Sequence, residues 1–156
     1  MNWEAIAAIT EIIGTIAVVV SLVYLSLQLR SQNRESRIAS VHELNESFRN
    51  AITSFQHSEL AALFIRAKDN FESLTEVERL QFISMIQVIL RVWEDAYHQH
   101  QEKRLNDRMW NAMVVQFSTY MSLSGVRSVW SIRKMAYSED FRAFVDTIPP
   151  REYKTK

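Results

Sequence analysis

The chain has 156 residues, with 18 basic and 18 acidic side chains that cancel, and no cysteine. Zero net charge removes the long-range field that draws proteins onto nucleic acid, and the missing thiols remove disulfides, cysteine nucleophiles and the common structural zinc sites. With only two glycines and two prolines, nothing between Gly14 and Gly125 punctuates against helix, so an all-α protein is expected.

The first predicted element is the stretch from Ala5 to Leu29, AIAAITEIIGTIAVVVSLVYLSLQL, which carries no charge from Ile12 onward. About 18 helical residues at roughly 1.5 Å each span roughly 27 Å, close to the hydrocarbon thickness of a bilayer. The Leu, Ile and Val residues outweigh the few polar ones, Glu11 included, so insertion as a single transmembrane helix is expected. Steps of three and four place Glu4, Ala7, Glu11, Gly14, Val18, Ser21, Leu25 and Gln28 on one stripe. Ile6, Ile9, Ile13, Ile16, Val20, Val23 and Leu27 make up the other side. In lipid, bulky aliphatics gain nothing by pairing, whereas small residues permit close backbone approach and polar ones seek partners. The small and polar stripe is therefore expected to face protein, with a homo-oligomer as the simplest assembly.

Arg30, Arg34 and Arg37 follow the span and no Lys or Arg precedes it, so the positive-inside bias puts the N-terminus outside and the C-terminal side in the cytoplasm. The acidic start and long apolar core do not match a cleavable signal peptide, which points to a retained anchor in the cell (inner) membrane. Trp3 suits the outer interface, and Tyr24 with the arginines the inner one. Residues 1–30 are thus expected to form the transmembrane helix and residues 31–156 one cytoplasmic helical domain, long enough for a single core.

The helix is expected to run on through RSQNRESRIASVHELNESFRNAITSF, with Ile38, Val41, Leu44 or Asn45, Phe48, Ile52 and Phe55 on one face, and to end near Gln56–His57. Ser58 is expected to cap a short amphipathic helix, ELAALFIRA. Thr75 followed by Glu78 reads as a capping box that starts a long helix at Glu76 and carries it through Lys103. Two apolar stripes, Leu80, Ile83, Leu90, Tyr97 and Phe82, Ile86, Ile89, Trp93, Ala96, mark it as the central helix of a bundle. Asn106 or Asp107 caps the next helix, which presents Trp110, Met113, Val114, Phe117, Tyr120 and Met121. Ser124–Gly125 is expected to interrupt. Val126, Val129, Trp130 and Ile132 mark a shorter helix, Ser138 caps SEDFRAFVDTI, and Pro149–Pro150 ends the structure before the basic tail REYKTK.

The opening WEAIAAITEIIGTIAVVVSLVYLSLQLR, together with the pairing of WEDAYHQH and NDRMW, resembles a family of small uncharacterised bacterial proteins with one N-terminal membrane helix and a helical cytoplasmic domain. The resemblance implies that architecture and a bacterial membrane setting, and no activity.

His42 with Glu46, and Glu94 with His98, are i,i+4 neighbours that form a candidate site for a divalent metal should they meet across the bundle. The i,i+3 spacing of di-iron bundles is not matched, and no cofactor is expected. GxGxxG, GxxxxGK[ST] and GxSxG are all absent, so a non-enzyme is expected. The expected function is a membrane-anchored interaction, scaffold or sensor protein whose partners are the lipid bilayer and copies of itself, with no nucleic acid. The alternative is an oligomer in which a ring of Glu11 carboxylates passes cations or protons, with Val18 and Leu25 as hydrophobic constrictions.

Overall fold

The computed structural model describes residues 3–149 and 151–152; the side chains of residues 4–10 and of Ser54 lie outside that description. The chain is all-helical, with no strand among the described residues. Its elements are α1 (Trp3–Thr53), α2 (Ser58–Ala67), α3 (Glu76–Gln101), α4 (Asp107–Met121), α5 (Ser124–Arg133) and α6 (Glu139–Thr147), joined by 3-10 turns at Ser54–Gln56, Phe71–Ser73 and Lys134–Ala136. Internal contacts divide the chain into two units, Met1–Ala39 and Ser40–Lys156.

The first unit is helix alone, and from residue 11 to residue 39 every side chain is exposed. Twelve large apolar residues between Ile12 and Leu29 each keep more than half of their surface uncovered. Removing them from water would be worth on the order of 10 kcal/mol in total, comparable to the net stability of a whole domain. It is one helix long and apolar enough to cross a membrane.

The second unit is built around α3, which packs against α2, α4 and α5. Phe82, Ile86, Ile89, Leu90, Trp93, Ala96 and Tyr97 are all buried, as the two stripes require. Leu80 departs from that expectation at 63 % exposed, and Ile83 is only half-buried. Rings from α4 and α6 reach α3 at Trp93 and Tyr97, so the second side of the helix is covered only toward its C-terminal end. Ile38, Ile52 and Ile132 are likewise exposed; along the end of α1 it is Ser40, Leu44 and Ala51 that are buried, with Val41, Phe48 and Phe55 packed beside them.

The helix boundaries follow local chemistry. The capping box at α3 is complete: the Thr75 hydroxyl accepts from the Glu78 amide at 3.3 Å, and the Glu78 carboxylate accepts from the Thr75 amide at 3.0 Å. Asn106 caps α4 by accepting from the Met109 amide at 2.9 Å. Three helix ends differ from expectation in position, and a fourth only in its capping. α1 closes at Thr53 in a 3-10 turn, and His57 holds the N-cap position of α2, leaving Ser58 as its first helical residue. α3 stops at Gln101 because the chain reverses with Lys103 in the left-handed region (φ 58°), where its amide bonds to the His100 carbonyl. Ser138 stands at the N-cap of α6 without capping it.

The interruption falls at Ser122–Leu123, directly before the expected Ser124–Gly125, and Gly125 itself lies in the first turn of α5. A Cβ there would sit 2.0 Å from the Ala67 carbonyl oxygen, so only glycine lets the start of α5 close on the end of α2. The Gly125 amide donates to the Lys68 carbonyl at 2.9 Å, and the Ser124 hydroxyl donates to the Asp69 carbonyl at 3.0 Å. Carbonyls left over at the end of one helix thus satisfy donors left over at the start of another. After α6 the Arg151 amide donates to the Ser118 carbonyl, and the Ser118 hydroxyl donates to the Pro149 carbonyl, strapping the chain to α4; Pro150 and residues 153–156 of the basic tail lie outside the described residues.

The capping box carries a pH signature. Hydrogen bonds from the Thr75 backbone and then its hydroxyl, with the Arg66 guanidinium nearby, hold the Glu78 carboxyl below its ordinary 4.5. A lowered carboxyl contributes stability that is present above that value and lost as pH falls through the lower folded value. Thr75→Ala is expected to cost about 1 kcal/mol at neutral pH, read by urea unfolding. It should also blunt, without abolishing, the loss of stability below pH 4.5, because the backbone donor at residue 75 remains.

Candidate functional site

Glu11, Gly14, Val18, Ser21, Leu25 and Gln28 are all exposed along α1, on one stripe of an unbroken helix. The side chains of Glu4 and Ala7, predicted for the same stripe, lie outside the described residues. A Cβ built on Gly14 meets nothing within 4 Å, so its face is open. The Ser21 hydroxyl donates to the Ala17 carbonyl at 2.8 Å, and the Thr15 hydroxyl to the Glu11 carbonyl at 2.9 Å. Ser21 is thus satisfied within its own helix and offers small size rather than an unmet polar group. No described residue partners the Glu11 carboxylate. Between Glu11 and Gln28 the stripe presents one anionic group among small, aliphatic and amide side chains, an open surface rather than a cavity.

On the opposite side the three-and-four spacing of Ile16, Val20, Val23 and Leu27 continues without a break into Arg30, Arg34 and Arg37. Glu35, which accepts from the Ser31 hydroxyl at 3.4 Å, falls instead on the continuation of the polar stripe through Gln28 and Gln32.

The residues read as metal ligands are placed as follows. His42 and Glu46 are exposed on α1, while Glu94 is buried on α3 and faces the start of α6. One Glu94 oxygen accepts from the Ser138 amide at 2.8 Å and the other from the Arg91 guanidinium at 2.6 Å. Arg91 also donates to the Ala136 carbonyl at 2.8 Å and lies 4.3 Å over the Tyr137 ring. His98 Nε2 is 3.2 Å from the Ser138 hydroxyl, and its Nδ1 is 3.9 Å from Asp140. Glu94 and His98 therefore converge on Ser138 and tie α3 to α6. Among the described residues no group of three or more His, Asp or Glu side chains is arranged to hold a metal ion.

The order Ser138–His98–Asp140 has the sequence of groups in a hydrolase triad, but its geometry is different. The 3.9 Å separation exceeds a hydrogen bond, and the Ser138 hydroxyl is the main cause that holds the Asp140 carboxyl below its ordinary value, ahead of the Phe141 amide and the His98 charge. Burial pushes the Tyr137 hydroxyl up, with the nearby Glu94 charge acting the same way and Arg91 opposing. The cluster is a polar strut. Its Arg91–Glu94 half is an i,i+3 pair that local spacing could have signalled, although the sequence alone pairs Glu94 with His98 instead; its Ser138 and Asp140 half, more than 40 positions away, carries no such local signal.

The interior offers little room. A void of about 10 Å³ among Trp93, Trp110, Phe117, Phe141 and Phe144 is water-sized and wholly apolar. A groove of about 220 Å³ runs between α1 and α4, lined by Leu44, Phe48, Met109 and Met113 with Asn45 and Gln116 at its polar edge. Comparisons with family models, curated proteins and solved structures found no match to this chain.

Proposed function

We propose that the protein is a single-pass membrane-anchored helical homo-oligomer that acts as a non-enzymatic interaction, scaffold or sensor protein. The observation that carries this reading is the fully exposed apolar length of α1 with its open stripe of small residues. The arginines that follow the span favour a cytoplasmic helical domain in the inner membrane. Membrane fractions washed with carbonate test the anchor, and the mass of the detergent-solubilised complex tests the assembly. Gly14→Leu is expected to lower that mass, while Ile13→Leu leaves it unchanged. Because a Cβ at Gly14 meets nothing within 4 Å among the described residues, such a change reports contact between copies and not damage to the fold. Equal masses for wild type and both variants would refute assembly through this stripe.

The unpartnered Glu11 on the same stripe favours a second reading, a cation- or proton-conducting bundle with Glu11 carboxylates in a ring. Cation flux into liposomes carrying the purified protein separates the two readings; flux no greater than in empty vesicles leaves the scaffold.

A further inference from the structure

We propose that Arg30, Arg34 and Arg37 form a stripe that binds the phosphate headgroups of anionic phospholipids on the lipid-facing side of α1, an inference that rests on the membrane anchor proposed above. The three residues continue, in steps of four and three, the bulky face of Ile16, Val20, Val23 and Leu27. If the small stripe meets protein, that bulky face meets lipid, and the arginines stand directly beneath it.

All three are exposed, and none has an ion-pair or hydrogen-bond partner among the described residues. The acidic residues of this unit with described side chains, Glu11 and Glu35, both fall on the opposite stripe, and Glu35 is occupied by Ser31. Arg30 and Arg34 are i,i+4 neighbours of like charge, an arrangement that disfavours the bare helix and is relieved by an anion between them. The position matches a membrane surface. Arg37 lies about 12 Å along the helix from Leu29, and each headgroup layer is roughly 5 to 7 Å thick, so long arginine stems reach it from below the boundary. A guanidinium holds a phosphodiester through two parallel hydrogen bonds, where a choline headgroup's cation repels it. The occupant is therefore an anionic lipid and not a zwitterionic one.

The test is native mass spectrometry of the full-length protein in detergent, titrated with phosphatidylglycerol or phosphatidylcholine. The wild type is expected to retain phosphatidylglycerol preferentially, by roughly fivefold for each arginine engaged. R30Q/R34Q/R37Q should bring the two lipids near parity. Adding Q28R/Q32R/S36R to that variant restores the charge on other sides of the helix and should leave the preference lost. Equal retention by the wild type, or wild-type preference in the repositioned variant, overturns the stripe. Protein that stays in solution without detergent overturns the anchor itself before any lipid is added, so the two failures are distinguishable.

Discussion

Gly125→Ala is expected to destabilise the helical domain by about 2 to 3 kcal/mol, although a single methyl group is added. Helix propensity alone has the opposite sign, because alanine within a helix is favoured over glycine by roughly 1 kcal/mol. Geometry decides. The new Cβ would stand 2.0 Å from the Ala67 oxygen and 2.9 Å from its carbonyl carbon, both backbone atoms that no rotamer change can move aside. Either α5 withdraws from α2 and forfeits the Gly125–Lys68 hydrogen bond, or the end of α2 unwinds. Gly14→Ala is the control for the helical domain, since its Cβ meets nothing within 4 Å among the described residues, and it should leave that domain's unfolding unchanged. Thermal and urea unfolding of the detergent-solubilised protein measure both; a stabilised Gly125→Ala would defeat the close-approach account.

Phe141→Ala is expected to cost about 3 to 5 kcal/mol, the largest effect of any single substitution considered. Phe141 is 1 % exposed, and its ring lies 5.7 Å from Tyr97, 6.0 Å from Trp130, 6.0 Å from Tyr137 and 6.1 Å from Phe117, centroid to centroid. It joins residues of α3, α4 and α5 to α6. With nine residues, α6 is too short to persist without packing, so the loss should appear first as local detachment. Hydrogen exchange is expected to accelerate at residues 139–147 while the middle of α3 stays protected. Phe141→Leu should lose about half as much. A cost below about 1 kcal/mol for the alanine variant would show that the ring is not the hub its contacts describe.

Much of the fold was legible because its signals are local. Thr75 and Glu78 stand three apart and satisfy each other's neighbours, and Asn106 caps with its own side chain; neither depends on anything distant. The apolar length of α1 announces itself for the same reason. Where packing partners decide, local signals failed. Leu80 fits its stripe yet stays in solvent, because which part of a helix is covered depends on where other helices cross it. Gly125 reads as a breaker from composition, and its real role depends on Ala67, more than 50 positions earlier. Ser138 stood at its predicted boundary, but its hydroxyl meets His98 and the Asp140 side chain instead of capping the helix. The spacing of Glu11, Gly14, Val18, Ser21, Leu25 and Gln28 could be read from sequence; that Ser21 is already satisfied by Ala17 could not, since a serine in a helix either reaches outward or bonds backward according to rotamer.

The junction of Ser124 and Gly125 with Lys68 and Asp69 also bears on the order of events in folding. Those bonds join residues 55 to 57 positions apart, and the α3–α4 hairpin lies within the loop they close. Closing such a loop costs more chain entropy than zipping the helices inside it, so the contact is expected to form after the hairpin and after the main folding barrier. Interactions that form late act as brakes on unfolding. Weakening this junction should leave the refolding limb of a chevron almost unmoved and steepen the rate of escape from the native state, which makes it the place to strengthen when a longer-lived domain is wanted.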